Sequence, residues 1–171
     1  MQPNIPKLIF AVLMSVYFLW IAYDPMHGSF LDMVDLPIHE TGHLVFRIFG
    51  EFIGIAGGTL FQLIVPAVFV GYFVWQKSYY SAAIVTMWVG QSILNVWMYA
   101  SDAVVMQLML TSGITGAEGG FHDWNYMLDS MGLLNSTRTI AGIIRFAGTL
   151  TILAAVISAF YFAFVPSDDE L

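Results

Sequence analysis

Residues 36–52, LPIHETGHLVFRIFGEF, set two histidines and a glutamate within otherwise apolar sequence. The chain holds only four histidines, so half of them stand here, four positions apart. The surroundings make this expensive. Of 171 residues 58% are hydrophobic and 10% charged, against about 25% charged in an ordinary soluble domain, and the mean hydropathy is +0.77. Water alone could not solvate such a surface, and the composition reads as an integral membrane protein in a lipid bilayer. An ionisable group at the bilayer centre costs about 2.5–3.5 kcal/mol on insertion scales. A bound cation would offset that cost. A span takes about 20 mostly apolar residues. The motif stretch, 36–49, is too short and too polar for one, which predicts a buried or re-entrant helix shielded by its neighbours.

Working outward, the first span is expected at 5–23. It ends in aromatics and YDPMHG rather than a small-residue cleavage site, so it reads as an uncleaved helix and not a secretory signal. An acidic connection, DPMHGSFLDMVD, fills 24–35. The next span covers 52–75, with QKSYY as its turn. A helix from 79 to about 110 is long enough to overshoot the membrane or bend. TSGITGAEGGFHDW, 111–124, is a glycine-rich acidic loop by composition. A short helix over 125–134 and a last span over 140–165, closed by Pro166 and an acidic tail, complete the chain. No internal repeat or linker divides it. The expected fold is all-α: one domain, 1–171, forming a polytopic bundle of four to six segments around the motif helix. Lys7 and Lys77 would both be cytoplasmic if that helix re-enters, leaving the acidic connections 24–35 and 111–129 outside. A net charge of −7 with five Lys+Arg excludes the basic footprint that nucleic acid requires. The absence of cysteine excludes disulfides and thiol catalysis. The terminal DDEL differs in its first residue from an endoplasmic-reticulum retrieval signal and carries little weight.

His39-Glu40-Thr41-Gly42-His43 fits the H-E-x-x-H pattern of zinc hydrolases. On a helix His43 lies about 40° around from His39 and one turn along, so both imidazoles can reach one ion. Glu40 falls about 60° from His43, placed to take a proton from a water attacking a carbonyl. Asp35 and Pro37 are expected as N-cap and first-turn proline, and Gly42 admits a close neighbour. A third ligand is needed, and two regions supply candidates. Gln91, Asn95, Tyr99 and Asp102 form a polar stripe within about 80° of arc. Interhelical hydrogen bonding accounts for the first three as well as a site role does, whereas Asp102 wants a cation. FHDWNYML supplies His122 and Asp123, either one a ligand with the other orienting it, or with Asp123 merely capping a helix. Arg47 lies about 80° from His39 and could steady an oxyanion, but Glu51 four residues on favours a plain ion pair. In GGTLFQLIVP, the small residues, Gln62 and Pro66 read as a close helix contact with a kink. Backbone groups freed by Pro66 would alternatively hold a substrate strand. His27 has no identifiable partner.

HETGHLVF in a membrane helix, followed by a GGTLFQ span, resembles the site-2 protease class of intramembrane zinc metalloproteases, over about residues 34–130. The resemblance implies zinc on His39 and His43, Glu40 as general base and a distant aspartate as third ligand, for which Asp123 suits the wide separation better than Asp102. The family's usual second motif has Asp followed by Gly. Here Trp124 follows Asp123, and there is no room for the PDZ or CBS domain that many members carry. The implied function is hydrolysis of a peptide bond in or near the bilayer of a membrane-protein substrate. The alternative is a non-proteolytic scaffold or client-binding relative that keeps its metal structurally, although Glu40 would then have no role. A di-metal oxygenase needs more histidines than four. The small size and lack of appended domains suggest a bacterial inner membrane.

Overall fold

Every long apolar run of the chain is helical, because a helix satisfies its own backbone where no water can. The computed structural model describes residues 4–165 and contains six α-helices: α1 (Ile5–Tyr23), α2 (Asp32–Phe46), α3 (Glu51–Trp75), α4 (Tyr79–Ser101), α5 (Asp123–Ser130) and α6 (Thr137–Phe164). Among the described residues the only β pairing is an isolated bridge, Met109–Thr115. The fold is all-α, as expected. Three helical stretches are long and apolar enough to cross a membrane: Ile5–Tyr23, Glu51–Trp75 and Leu134–Phe164. Their outward faces are hydrophobic, with Val16 66%, Val68 63% and Ile157 71% exposed. The interior holds polar side chains instead, among them Asp35, Gln62, Gln91 and Ser92. That reverses the pattern water imposes and is consistent with a membrane protein. Pro166 and the DDEL tail lie outside the described residues.

The central helix is α4. It meets α6 where Gly90 and Gly148 face each other, a Cβ on either lying 3.1 Å from the other's carbonyl oxygen. Ala83 and Ala155 continue the small-residue seam, and Met87, Leu94 and Ile152 pack into it with Ala11, Phe18 and Ile21 of α1. Small residues let backbones approach closely, which is how helices associate without a hydrophobic driving force between them.

The two ends of the bundle differ. At one, the Asn4 N–H donates to Ala163 O (3.0 Å), the Tyr80 hydroxyl donates to Lys7 O (2.6 Å) and Tyr79 stacks on Phe162. This end gathers Lys7 and the α3–α4 turn that carries Lys77. The glycine-rich loop and the connection after α1 lie towards the other, although residues 32–35 of that connection form the first turn of α2 and pack inside the bundle against α4. Arg47, Arg138 and Arg145 also sit in that half, with Arg145 over the Trp97 ring at 4.7 Å, so basic residues are split and the two lysines alone do not set an orientation.

Helix α2 runs antiparallel to α3. It begins against the middle of α4, where the Trp88 Nε1–H donates to Asp35 (2.9 Å), and ends where α3 begins, without traversing the bundle. It starts at Asp32 rather than at 36, so Asp35 is not its N-cap. Asp35 is buried within the helix and accepts from Trp88 and Ser92. Pro37 is likewise interior, tolerated because its missing N–H leaves only the Met33 carbonyl without its i+4 donor. The helix expected over 79–110 stops at Ser101, since the Asp102 carboxylate accepts the N–H groups of Gln107 (3.0 Å) and Leu108 (2.9 Å) and draws the chain into turns. The short helix begins at Asp123 and ends at Ser130 rather than covering 125–134.

Candidate metal centre

His39 and His43 project from one face of α2 towards α3, where Gly54, Gly58 and Gln62 recur every four residues and so share a face. The Nδ1 of His43 lies 3.0 Å from the Gly54 carbonyl oxygen. The Nδ1 of His39 lies 3.0 Å from Gln62 Oε1. Both partners only accept, so each Nδ1 carries the hydrogen. With the rings neutral, the two Nε2 atoms present lone pairs, as a metal-ligating imidazole must.

Those Nε2 atoms meet the third group. Asp123 Oδ2 lies 3.1 Å from His39 Nε2 and 3.2 Å from His43 Nε2, and one ligand atom from each residue falls within 4.8 Å of the others. Two neutral imidazole lone pairs and a carboxylate oxygen have no hydrogen to share, so either the rings take up protons or a cation sits between them. The donor set fits a divalent ion: nitrogen and oxygen ligands at 2.0–2.1 Å from a tetrahedral zinc stand about 3.3 Å apart. Gly58 leaves the space. A Cβ there would lie 2.5 Å from His39 Nε2 and 2.6 Å from His43 Nε2.

The other proposed ligands are elsewhere. His122 is buried and caps α5, its Nδ1 accepting the Asn125 N–H (3.2 Å). Its Nε2 points towards Asp102 Oδ2 at 3.4 Å, too far for a good hydrogen bond. Asp102 and His122 face each other, and each anchors the loop that delivers Asp123, Asp102 through the Gln107 and Leu108 N–H groups and His122 as the cap of α5; Asp123 is the first helical residue and not the cap. The loop is further pinned at Thr115–Glu118, where the Thr115 N–H and hydroxyl hold the Glu118 carboxyl below its usual range.

The polar stripe on α4 faces this region. Gln62 donates to Asn95 Oδ1 (2.8 Å), Gln91 and Asn95 donate to Asp32, and the Tyr99 ring lies against His39, centroids 6.3 Å apart. The cluster borders a cavity of about 850 Å³ whose lining includes Glu40, Arg47, Glu51, Met98, Leu110 and Phe121. Glu40 makes no hydrogen bond among the described residues, and it lines the cavity. Arg47 and Glu51 form no ion pair there either. Arg47 closes α2, and Gly50, at φ +102°, turns the chain before Glu51 opens α3, so the two never share a helix face. Pro66 is buried and does not line the cavity. His27, left unpartnered by the sequence, has its Nδ1 2.8 Å from Asp24 Oδ2.

Sequence reasoning passed over Asp32 and Gly54, and read Asp35 as a cap and Gly58 as part of a helix contact rather than as neighbours of the site. The i, i+4, i+8 spacing of Gly54, Gly58 and Gln62 was a usable signal, since it matches the i, i+4 spacing of the histidines across an antiparallel contact. No family model, curated protein or solved structure matches this chain.

Proposed function

We propose that this chain is an integral membrane zinc metalloprotease that hydrolyses a peptide bond of a membrane-protein substrate at or near the bilayer. The observation that carries the reading is the convergence of His39 Nε2, His43 Nε2 and Asp123 Oδ2 on one point, with an unpaired carboxylate, Glu40, in the adjoining cavity. A merely structural metal would need the first three and not the fourth.

Bound zinc would polarise a carbonyl and acidify a water. The rest falls to side chains. His39, held by Gln62, and His43, held by Gly54 O, keep their rings in register with Asp123. Glu40 is the general base, taking a proton from the attacking water and returning it to the leaving amine. Arg47, without a carboxylate partner among the described residues, is available to a negatively charged part of the substrate near the cavity. A substrate segment has to unwind to reach this point, because a helical peptide bond has its carbonyl engaged and its side chains in the way.

The test is metal content and cleavage together. Purified wild type should hold about one zinc per chain and cut at least one protein from a co-expressed panel of single-span membrane proteins. Glu40→Gln should keep the metal and lose cleavage by about 100-fold or more, the scale of a general base. A chain that retains no zinc, or a Glu40→Gln variant that cuts like wild type, refutes the proposal.

A further inference from the structure

The hydrogen bonds that lead away from His39 have a direction, and one residue sets it. Asp32, at the start of α2, is the terminus. Its Oδ2 accepts the backbone N–H of Ser29. Its Oδ1 accepts from the Ser29 hydroxyl (3.1 Å), Gln91 Nε2 (2.8 Å) and Asn95 Nδ2 (3.1 Å). A carboxylate with no proton can only accept, so the Asn95 amide must turn its NH2 towards Asp32 and its oxygen away. That oxygen receives Gln62 Nε2 at 2.8 Å. Gln62 is thereby fixed in turn, with its oxygen towards His39 Nδ1 at 3.0 Å. Nδ1 must donate, and Nε2 is left as the lone pair facing Asp123.

Each of the two intervening amides could flip if alone, because side-chain amide nitrogen and oxygen are nearly the same size. His43 is set directly by a backbone carbonyl, whereas at His39 two acceptors compete: Gln62 Oε1 draws the proton to Nδ1 (3.0 Å) and, with no ion between them, Asp123 Oδ2 draws it to Nε2 (3.1 Å). We infer that Asp32 is a positioning residue for the metal centre: through Asn95 and Gln62 it fixes His39 in the Nδ1–H tautomer and so makes Nε2 a ligand. The consequence for metal affinity rests on the proposed function; the tautomer does not.

Asp32→Asn is a sharp probe, because the replacement is nearly isosteric and reverses the chain. The Ser29 N–H is a fixed donor and claims the new amide's oxygen. The NH2 then takes the Oδ1 position and points at Asn95, which turns its oxygen to meet it. Gln62 follows, presenting its NH2 to His39 Nδ1, and the ring proton moves to Nε2, where it blocks metal.

The measurement is 15N NMR of histidine-labelled, metal-free full-length protein in detergent micelles, with the imidazoles neutral and Asp123→Ala throughout to remove the competing acceptor at Nε2, beside a zinc titration of the same Asp32 and Asn95 variants with Asp123 in place. With Asp32 in place the His39 proton is expected on Nδ1. In Asp32→Asn it should shift to Nε2 and zinc binding should weaken by about 10–100-fold, the usual cost of losing a group that orients a ligand. Asn95→Leu cuts the relay while leaving the Asp32 and His39 side chains in the chain, should divide the proton between the two nitrogens, and decides the matter if Asp32→Asn does not fold. A His39 proton that stays on Nδ1 in the folded variants overturns the inference, even if zinc binding weakens, since that loss would be structural. Failure of wild type to bind zinc would instead remove the metalloprotease reading and leave the tautomer result to judge the relay.

Discussion

Gly58 shows how much of this site depends on an absent side chain. Its Cα faces the Nε2 atoms of both histidines, and a methyl there would stand 2.5–2.6 Å from them, well inside contact distance. Gly58→Ala should therefore leave the helices assembled but push the imidazole tips apart, taking retained zinc from about one per chain towards none. Elemental analysis beside a melting curve separates the two effects; full zinc occupancy in a folded Gly58→Ala protein would show that the ion lies elsewhere. The histidines and Glu40 were legible in the sequence because their spacing alone specifies a shared helix face. Asp32 was not. It looked like one more acid in a polar connection, and its partners, 59 and 63 residues away, are joined to it only by packing.

Between elements, the α2–α3 contact carries the geometry. Gly42 of α2 presses on the backbone of Gly57 in α3, and a Cβ on Gly57 would meet Gly42 O at 2.6 Å. This places the histidines within reach of Gly54 and Gln62. Gly42→Ala must separate the two helices and should cost about 1–3 kcal/mol, as overpacking does, with weaker zinc binding as a second effect. Gly142→Ala in α6 is the control. Nothing lies within 4 Å of its Cβ position, and the exchange should be neutral or stabilising by up to about 1 kcal/mol. Unfolding in mixed micelles measures both, and equal effects from the two would rule out a tight α2–α3 contact. Helix positions were largely readable from hydrophobic runs, since a span needs a minimum length. The limits of α2 and α4 were not, because Asp35 is drawn into the interior by hydrogen bonds from α4 and the Asp102 carboxylate turns the chain onto the N–H groups of Gln107 and Leu108. Composition marked Asp35 as a cap, whereas burial against Trp88 and Ser92 makes it part of the interior.

For the molecule as a whole, the arrangement places the α3–α4 turn at one end and the glycine-rich loop towards the other. A bundle crossing a bilayer in this way should expose those two sites on opposite faces. The natural chain lacks cysteine, so Gln76→Cys and Ser112→Cys can each be introduced singly into an otherwise inert background. In sealed vesicles of one orientation, an impermeant maleimide should label one variant from outside and the other only after lysis. Labelling of both from the same side would contradict the membrane-crossing arrangement. The cavity and the histidines lie in the half of the bundle bearing the loop, so the same experiment indicates from which side a substrate approaches.

By itself the sequence determined that the chain is helical and apolar, and that one helix turn carries two imidazoles and a carboxylate on nearby faces. Both follow from local quantities: hydrophobic run length and 3.6-residue periodicity. Only the tertiary structure decided that Asp123, rather than Asp102 or His122, meets His39 and His43, and that Asp102 and His122 instead secure the loop bringing it there. That choice depends on where a turn-rich connection of about twenty residues returns to the bundle, which is set by capping and packing between distant segments and leaves no periodic mark in the chain.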